Sequence, residues 1–175
     1  MPLVLIATAG AADANSYATV AEADLYHEGR LHASDWTSAT LEKKEAALVW
    51  ATQSLESTIR WDSWQTTLTQ ALQWPRYGML KRSLYDWVPD NVIPQELKNA
   101  TAELARHHIA NDPAAAVASA ETANIKRLKT GPVEIEYKDD VVAVVAQTIP
   151  DAVWTLIPYW WRVGAASNVR RLVRT

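Results

Sequence analysis

Between Arg60 and Pro94 the chain loses helical periodicity while it gains Trp61, Trp64, Trp74 and Trp87, set among Pro75, Gly78, Pro89 and Pro94. Proline removes a backbone donor and clashes with the preceding helical turn, so no regular helix can run through this stretch. Long loops without structure of their own are uncommon in compact domains. The indoles are therefore read as pins that hold an irregular segment against helices on either side, which the segment wraps.

Those flanking helices are legible from caps and stripes. Thr19-Val20-Ala21-Glu22 fits a capping box, in which hydroxyl and carboxylate satisfy orphan amides at a helix start, and that helix is expected to end near Leu31. Residues 33–39 are polar and read as a loop, with Ser38 or Thr40 capping a second helix from about Leu41 to Ile59. Leu48, Ala51, Leu55 and Ile59 recur at spacings of three and four on its buried side. A third helix starts near Ile93, with Pro94 suited to a first turn and Glu96 to the helix dipole, and runs to about Asn111 on a stripe of Ile93, Leu97, Ala100 and Leu104.

Beyond Asp112 the pattern changes. The alanine-rich run 114–123 reads either as a helix or as a linker. Val133, Ile135 and Tyr137 alternate with charged residues and, across Thr130-Gly131-Pro132 from residues 125–129, predict a β-hairpin in which Lys126 or Lys129 faces Glu134 or Glu136. A short helix is expected from Pro150-Asp151 to about Ile157. The end is basic and aromatic: Trp160, Trp161 and Arg162, then Arg170, Arg171 and Arg174 without an acid.

These readings give a mainly α fold, a small helical bundle with a β-hairpin insertion and an extended C-terminal tail. Residues 1–112 form a helical core carrying the Trp-rich loop 60–93, residues 113–158 a linker, hairpin and short helix, and residues 159–175 the tail. A chain of 175 residues suits one such core.

Composition narrows function. A net charge of −3 is unlike the basic surface of most nucleic-acid binders, and the absence of cysteine removes thiolate catalysis and cysteine metal sites. Nine Trp and six Tyr without any Phe favour aromatics that carry a polar group, which are enriched at protein interfaces. The apolar run Leu3 to Ile6 is far too short to span a membrane and lacks a basic leader, so the expectation is an unprocessed cytosolic protein.

No catalytic constellation emerges from His27, His32, His107 and His108, and no glycine-rich phosphate loop is present. His108 lies on the buried stripe of its helix and reads as a core or interface imidazole. Asp24, His27 and Glu28 share one helix side at a spacing that a metal would accept, but solvated faces show the same spacing. No catalytic residue, metal or cofactor is expected.

Several segments together resemble the head-tail adaptor (head-completion or connector) proteins of tailed bacteriophages, a family sometimes labelled DnaT-like single-stranded-DNA-binding protein. They are Asn15-Ser16-Tyr17 with Val20 to Asp24 and Tyr26, Lys44 to Leu48 with Ala51-Thr52, and Gln70-Ala71-Leu72-Gln73-Trp74-Pro75-Arg76. Ala102 to Ala105 and the hairpin residues 125–137 extend the likeness over roughly residues 15–160, and Gln-x-Leu-x-Trp-Pro-Arg is its most specific element. The sequence departs from the family pattern at Asp62-Ser63-Trp64, where a Gly is usual.

The resemblance implies a non-enzymatic virion protein of the neck, made in the host cytoplasm. It implies a dodecameric ring that binds a portal protein on one side and a stopper or tail-completion protein on the other, with double-stranded DNA passing through the lumen without sequence-specific contact. Trp160, Trp161, Arg162, Arg170, Arg171 and Arg174 are the candidate portal-interface residues, and removal of the chain from about Trp160 is expected to leave a folded subunit. Gln70, Trp74, Pro75 and Arg76 are candidate subunit-interface residues, with packing inside the subunit as the other reading of Trp74. A second functional class stays open, a single-stranded nucleic-acid binding module, in which Trp side chains stack on bases and the arginines meet phosphates.

Overall fold

The computed structural model describes residues 3–111, the strand backbones 127–130 and 133–136, and residues 149–163. The architecture is mainly helical. Helix α1 spans Val20–Glu28, α2 Ser34–Thr37, α3 Leu41–Thr58, α4 Gln95–Ala110 and α5 Asp151–Leu156, and a 3-10 turn covers Tyr159–Trp161. Strands β1 (Arg127–Thr130) and β2 (Val133–Glu136) pair antiparallel, with Lys129 opposite Glu134 and Arg127 opposite Glu136. The alanine-rich run lies outside the described residues. No described helix is long and apolar enough to cross a membrane.

The expected caps form. Thr19 Oγ1 accepts the Glu22 N–H at 3.2 Å while the Glu22 carboxylate accepts the Thr19 N–H at 2.8 Å, so two orphan donors are satisfied reciprocally. Thr40 accepts from the Lys43 N–H at the start of α3. Helices α3 and α4 make the most extensive pairing of the bundle, through Leu48, Ala51 and Leu55 on one side and Leu97, Ala100 and Leu104 on the other, all fully buried. Alanines in both stripes let the two backbones approach, and each leucine sealed from water contributes about 1.5–3 kcal/mol. Helix α5 closes one side of α4 by burying Val153, with Ile157 just beyond its end.

Two expectations are corrected. Residues 33–39 are more than a loop: α2 delivers Trp36 into the core, where its ring lies 4.9 Å from that of His27 and its indole N–H donates to Asp24 at 2.8 Å. One helical turn is too short to show a period, and burial of the indole is what forms it. The expectation of an extended tail from residue 159 fails for its first residues. Tyr159–Trp161 form the 3-10 turn, Trp61 and Arg162 make an antiparallel bridge, and Trp161 is fully buried. Arg170, Arg171 and Arg174 lie outside the described residues.

Several buried polar groups are paired across the bundle. The Glu103 carboxylate receives Arg30 at 2.9 Å and Arg106 at 2.7 Å, and His27 Nε2 lies 3.1 Å from the Ala102 carbonyl oxygen. Asp24 accepts from Lys44 as well as from Trp36. Asp24 and His27, two members of the metal-compatible trio, thus serve the packing of α1, while Glu28 points to solvent.

Candidate functional site

The segment after α3 is folded around a cluster of three indoles. Trp74 stands edge-on to Trp61 at a centroid distance of 5.6 Å and lies 5.1 Å from Trp161, so the chain's end supplies one of the three rings. Trp160 and Trp161 both donate their indole N–H to the Leu80 carbonyl, at 3.1 and 2.7 Å. The Asp62 N–H donates to Trp161 O, and the Val163 N–H to Arg60 O. Arg162 places its guanidinium 4.7 Å from the Trp154 ring centroid.

Gln70 to Arg76 is an internal knot, which corrects its assignment to a subunit interface. Arg76 is buried and donates to three carbonyls, those of Asp62 at 2.8 Å, Gln73 at 2.9 Å and Ser63. Gln70 donates to Leu72 O and Pro75 O and accepts from the Thr67 N–H. Trp74 and Pro75, joined by a cis peptide bond, are also buried. The planar fork of an arginine suits several carbonyls at fixed spacing, which explains the residue type without a neighbouring chain. Ser63 takes a φ of 62°, the left-handed region that glycine occupies without strain.

Glu56 ties this knot to α3. Its carboxylate accepts the Gln73 N–H at 3.1 Å and the Tyr17 hydroxyl, and it has no ion-pair partner among the described residues. Burial pushes Glu56 up to about 7, against the pull of the Gln73 N–H and the Arg76 charge. On α4, burial holds His108 down at about 4, helped by the charge of His107; its ring stacks on Trp50 at 4.8 Å, and Ser54 Oγ is 3.3 Å from its Nε2.

The two groups set opposite slopes of stability against pH. The raised Glu56 contributes stability that is fully present below pH 4.5 and lost as pH rises through about 7. The depressed His108 contributes stability present above pH 6.5 and lost as pH falls through about 4. Glu56→Gln keeps an acceptor for Gln73 and removes the titration, so it is expected to stabilise the chain at pH 8 by roughly 1–3 kcal/mol. Melting temperatures from pH 4 to 8 check this; a variant with the parent's slope between pH 6 and 8 would refute the role of Glu56.

Where Trp61 and Trp74 pin, other aromatics of the same segment do not. Residues 79–88 form a hairpin-like loop, with the Val88 N–H donating to Met79 O, the Lys81 N–H to Asp86 O, and Lys81 paired with Asp86. Leu84 at its tip has a φ of 63°, a conformation that costs a branched side chain on the order of 1 kcal/mol. Tyr85 is 96% exposed, Trp64 77%, Tyr159 61% and Trp87 57%. These exposed aromatics are not distinguished in the sequence, because an exposed indole and a buried one look alike in a stretch without period.

The cations of the segment are largely committed inside the subunit. Arg76 is in the knot, Lys81 is on Asp86, and Arg82 donates to Leu156 O at 2.9 Å. Of the segment's basic side chains only Arg60 is without a partner among the described residues.

A family model described as "Putative DnaT-like ssDNA binding protein" matches residues 1–175. The chain belongs to that family. The match runs through the bundle, the indole knot and the exposed loop alike, so all are parts of one family unit. No curated protein and no solved structure matches the chain.

Proposed function

We propose that this chain is a non-catalytic structural subunit that docks other proteins through its exposed aromatic face, as an adaptor of the phage neck. One observation carries the reading: Trp64, Tyr85, Trp87 and Tyr159 stand exposed on ordered backbone while the neighbouring cations are used internally. Rigid exposed aromatics in a segment where Arg60 is the one cation without a partner among the described residues suit a protein partner better than a phosphate backbone, because interface hot spots are aromatic and nucleic-acid affinity rests on released counterions. The resemblance of Gln70 to Arg76 and its neighbours to head-tail adaptors supplies the partners: copies of the chain in a ring, a portal protein, and a stopper or tail-completion protein, with DNA in the lumen.

Under this reading the portal contact moves. Trp161 is sealed in the core and Trp160 and Arg162 are half-buried, so Tyr85, Trp87 and Tyr159 take over the aromatic part. Arg170, Arg171 and Arg174 keep the cationic part. Tyr85→Ala with Trp87→Ala is expected to weaken portal binding at least about tenfold while leaving the melting temperature nearly unchanged, since both rings already face water. Pull-down of full-length protein with its cognate portal ring tests this, and undiminished binding by the double variant would remove the face from the interface.

The second reading is a single-stranded DNA binding module. The family's description favours it, and exposed indoles are platforms on which bases stack. Titration of the full chain with a labelled oligonucleotide at two salt concentrations separates the readings. Micromolar binding that weakens steeply with salt, and that the Tyr85 and Trp87 substitutions abolish, would put DNA in place of the portal.

A further inference from the structure

Between the loop 79–88 and the 3-10 turn lies a cleft of about 280 Å³. Trp160, Trp161, Met79 and Leu80 line it, and Asp62 is the one acidic residue among its lining residues. That carboxylate accepts the adjacent Ser63 N–H at 2.8 Å and forms no ion pair among the described residues. The two indoles are fixed by their shared bond to Leu80 O. A half-buried indole, Trp160, beside an acid without an ion pair among the described residues matches the chemistry of a guanidinium, which stacks its plane on an indole and offers a fork of donors to a carboxylate.

The sequence contains such an occupant. Residues 164–175 carry Arg170, Arg171 and Arg174 and no acid, with Val169, Leu172 and Val173 between them. The described chain approaches this segment in a defined direction. From the 3-10 turn it runs antiparallel to Trp61, and Val163 bonds to Arg60, so it leaves Asp62 and the cleft behind. We propose that the cleft receives an arginine of the C-terminal segment of a second copy. The proposal deepens the adaptor reading and rests on it: a contact from one copy's end to another copy's cleft is heterologous, the kind that propagates around a ring. Since the adaptor reading also sends these arginines to the portal, portal and cleft compete for one segment.

The experiment uses the full chain, Asp62→Asn, and a triple variant Arg170→Gln, Arg171→Gln and Arg174→Gln. Asparagine keeps an acceptor for the Ser63 N–H, so the loop retains its local bond. Sedimentation velocity is expected to show self-association at least fivefold tighter for the parent than for either variant. A synthetic peptide of residues 164–175, titrated into the triple variant, is expected to shift tryptophan emission, with affinity reduced at least fivefold when Asp62→Asn is added. A peptide that does not bind, or that binds equally after Asp62→Asn, overturns the cleft assignment. A parent that stays monomeric at every concentration while the peptide binds overturns the second copy and puts the segment in its own cleft. No portal is involved, so a failure here beside intact portal binding removes the cleft proposal and leaves the adaptor reading standing.

Discussion

Trp161→Ala is expected to destabilise the chain by about 3–5 kcal/mol, the range for emptying a large aromatic from a core. The indole is 0% exposed, packs on Trp74, and donates to Leu80 O at 2.7 Å. Its loss opens a cavity at the centre of the indole cluster and removes one of the two indole donors that hold Leu80 O in the loop 79–88. Against a total stability of roughly 5–15 kcal/mol, this is a large fraction. A fall in melting temperature on the order of 10 °C should appear in circular dichroism. The same burial reverses the expectation for truncation: a chain ending before Trp160 should fail to fold cooperatively. A truncated protein that melts like the parent would show that the 3-10 turn is dispensable.

Arg76→Ala is expected to cost about 3 kcal/mol or more, because a buried guanidinium loses three part-buried, charge-assisted bonds, each worth roughly 1.5–3 kcal/mol. The effect should be present in dilute, monomeric protein, which separates a folding role from a subunit interface. Arg76→Lys should recover little, since an ammonium cannot span the carbonyls of Asp62, Ser63 and Gln73 from one position. Urea titration of both variants at low micromolar concentration measures this. Unchanged stability with lost assembly would return Arg76 to the interface.

The helices were legible because their signals are local. Thr19 and Glu22 announce a start within four residues, and Leu48, Ala51 and Leu55 state their buried side by spacing alone. The hairpin was legible from alternation, and Lys129 opposite Glu134 falls in the expected register. Trp36 was missed because a single turn carries no period.

Burial of the candidate site residues was not legible from spacing. Trp64 and Trp161 illustrate why: each is an indole in a stretch without period, yet one is 77% exposed and the other is sealed. Trp161 looks short of partners in the sequence because its partners, Trp74 and Leu80, lie some 80 residues away in the chain.

By itself the sequence determined the helical class, the caps, the stripes of α3 and α4 and the irregularity of the segment between them, all of which follow from interactions within a few residues. Only the tertiary structure decided which tryptophans are core, that Gln70 to Arg76 ties its own subunit together, and that Asp62 has no ion pair among the described residues beside the 3-10 turn. Those outcomes depend on contacts between distant parts of the chain, where burial is settled by competition for one interior and spacing along the chain carries no information about it.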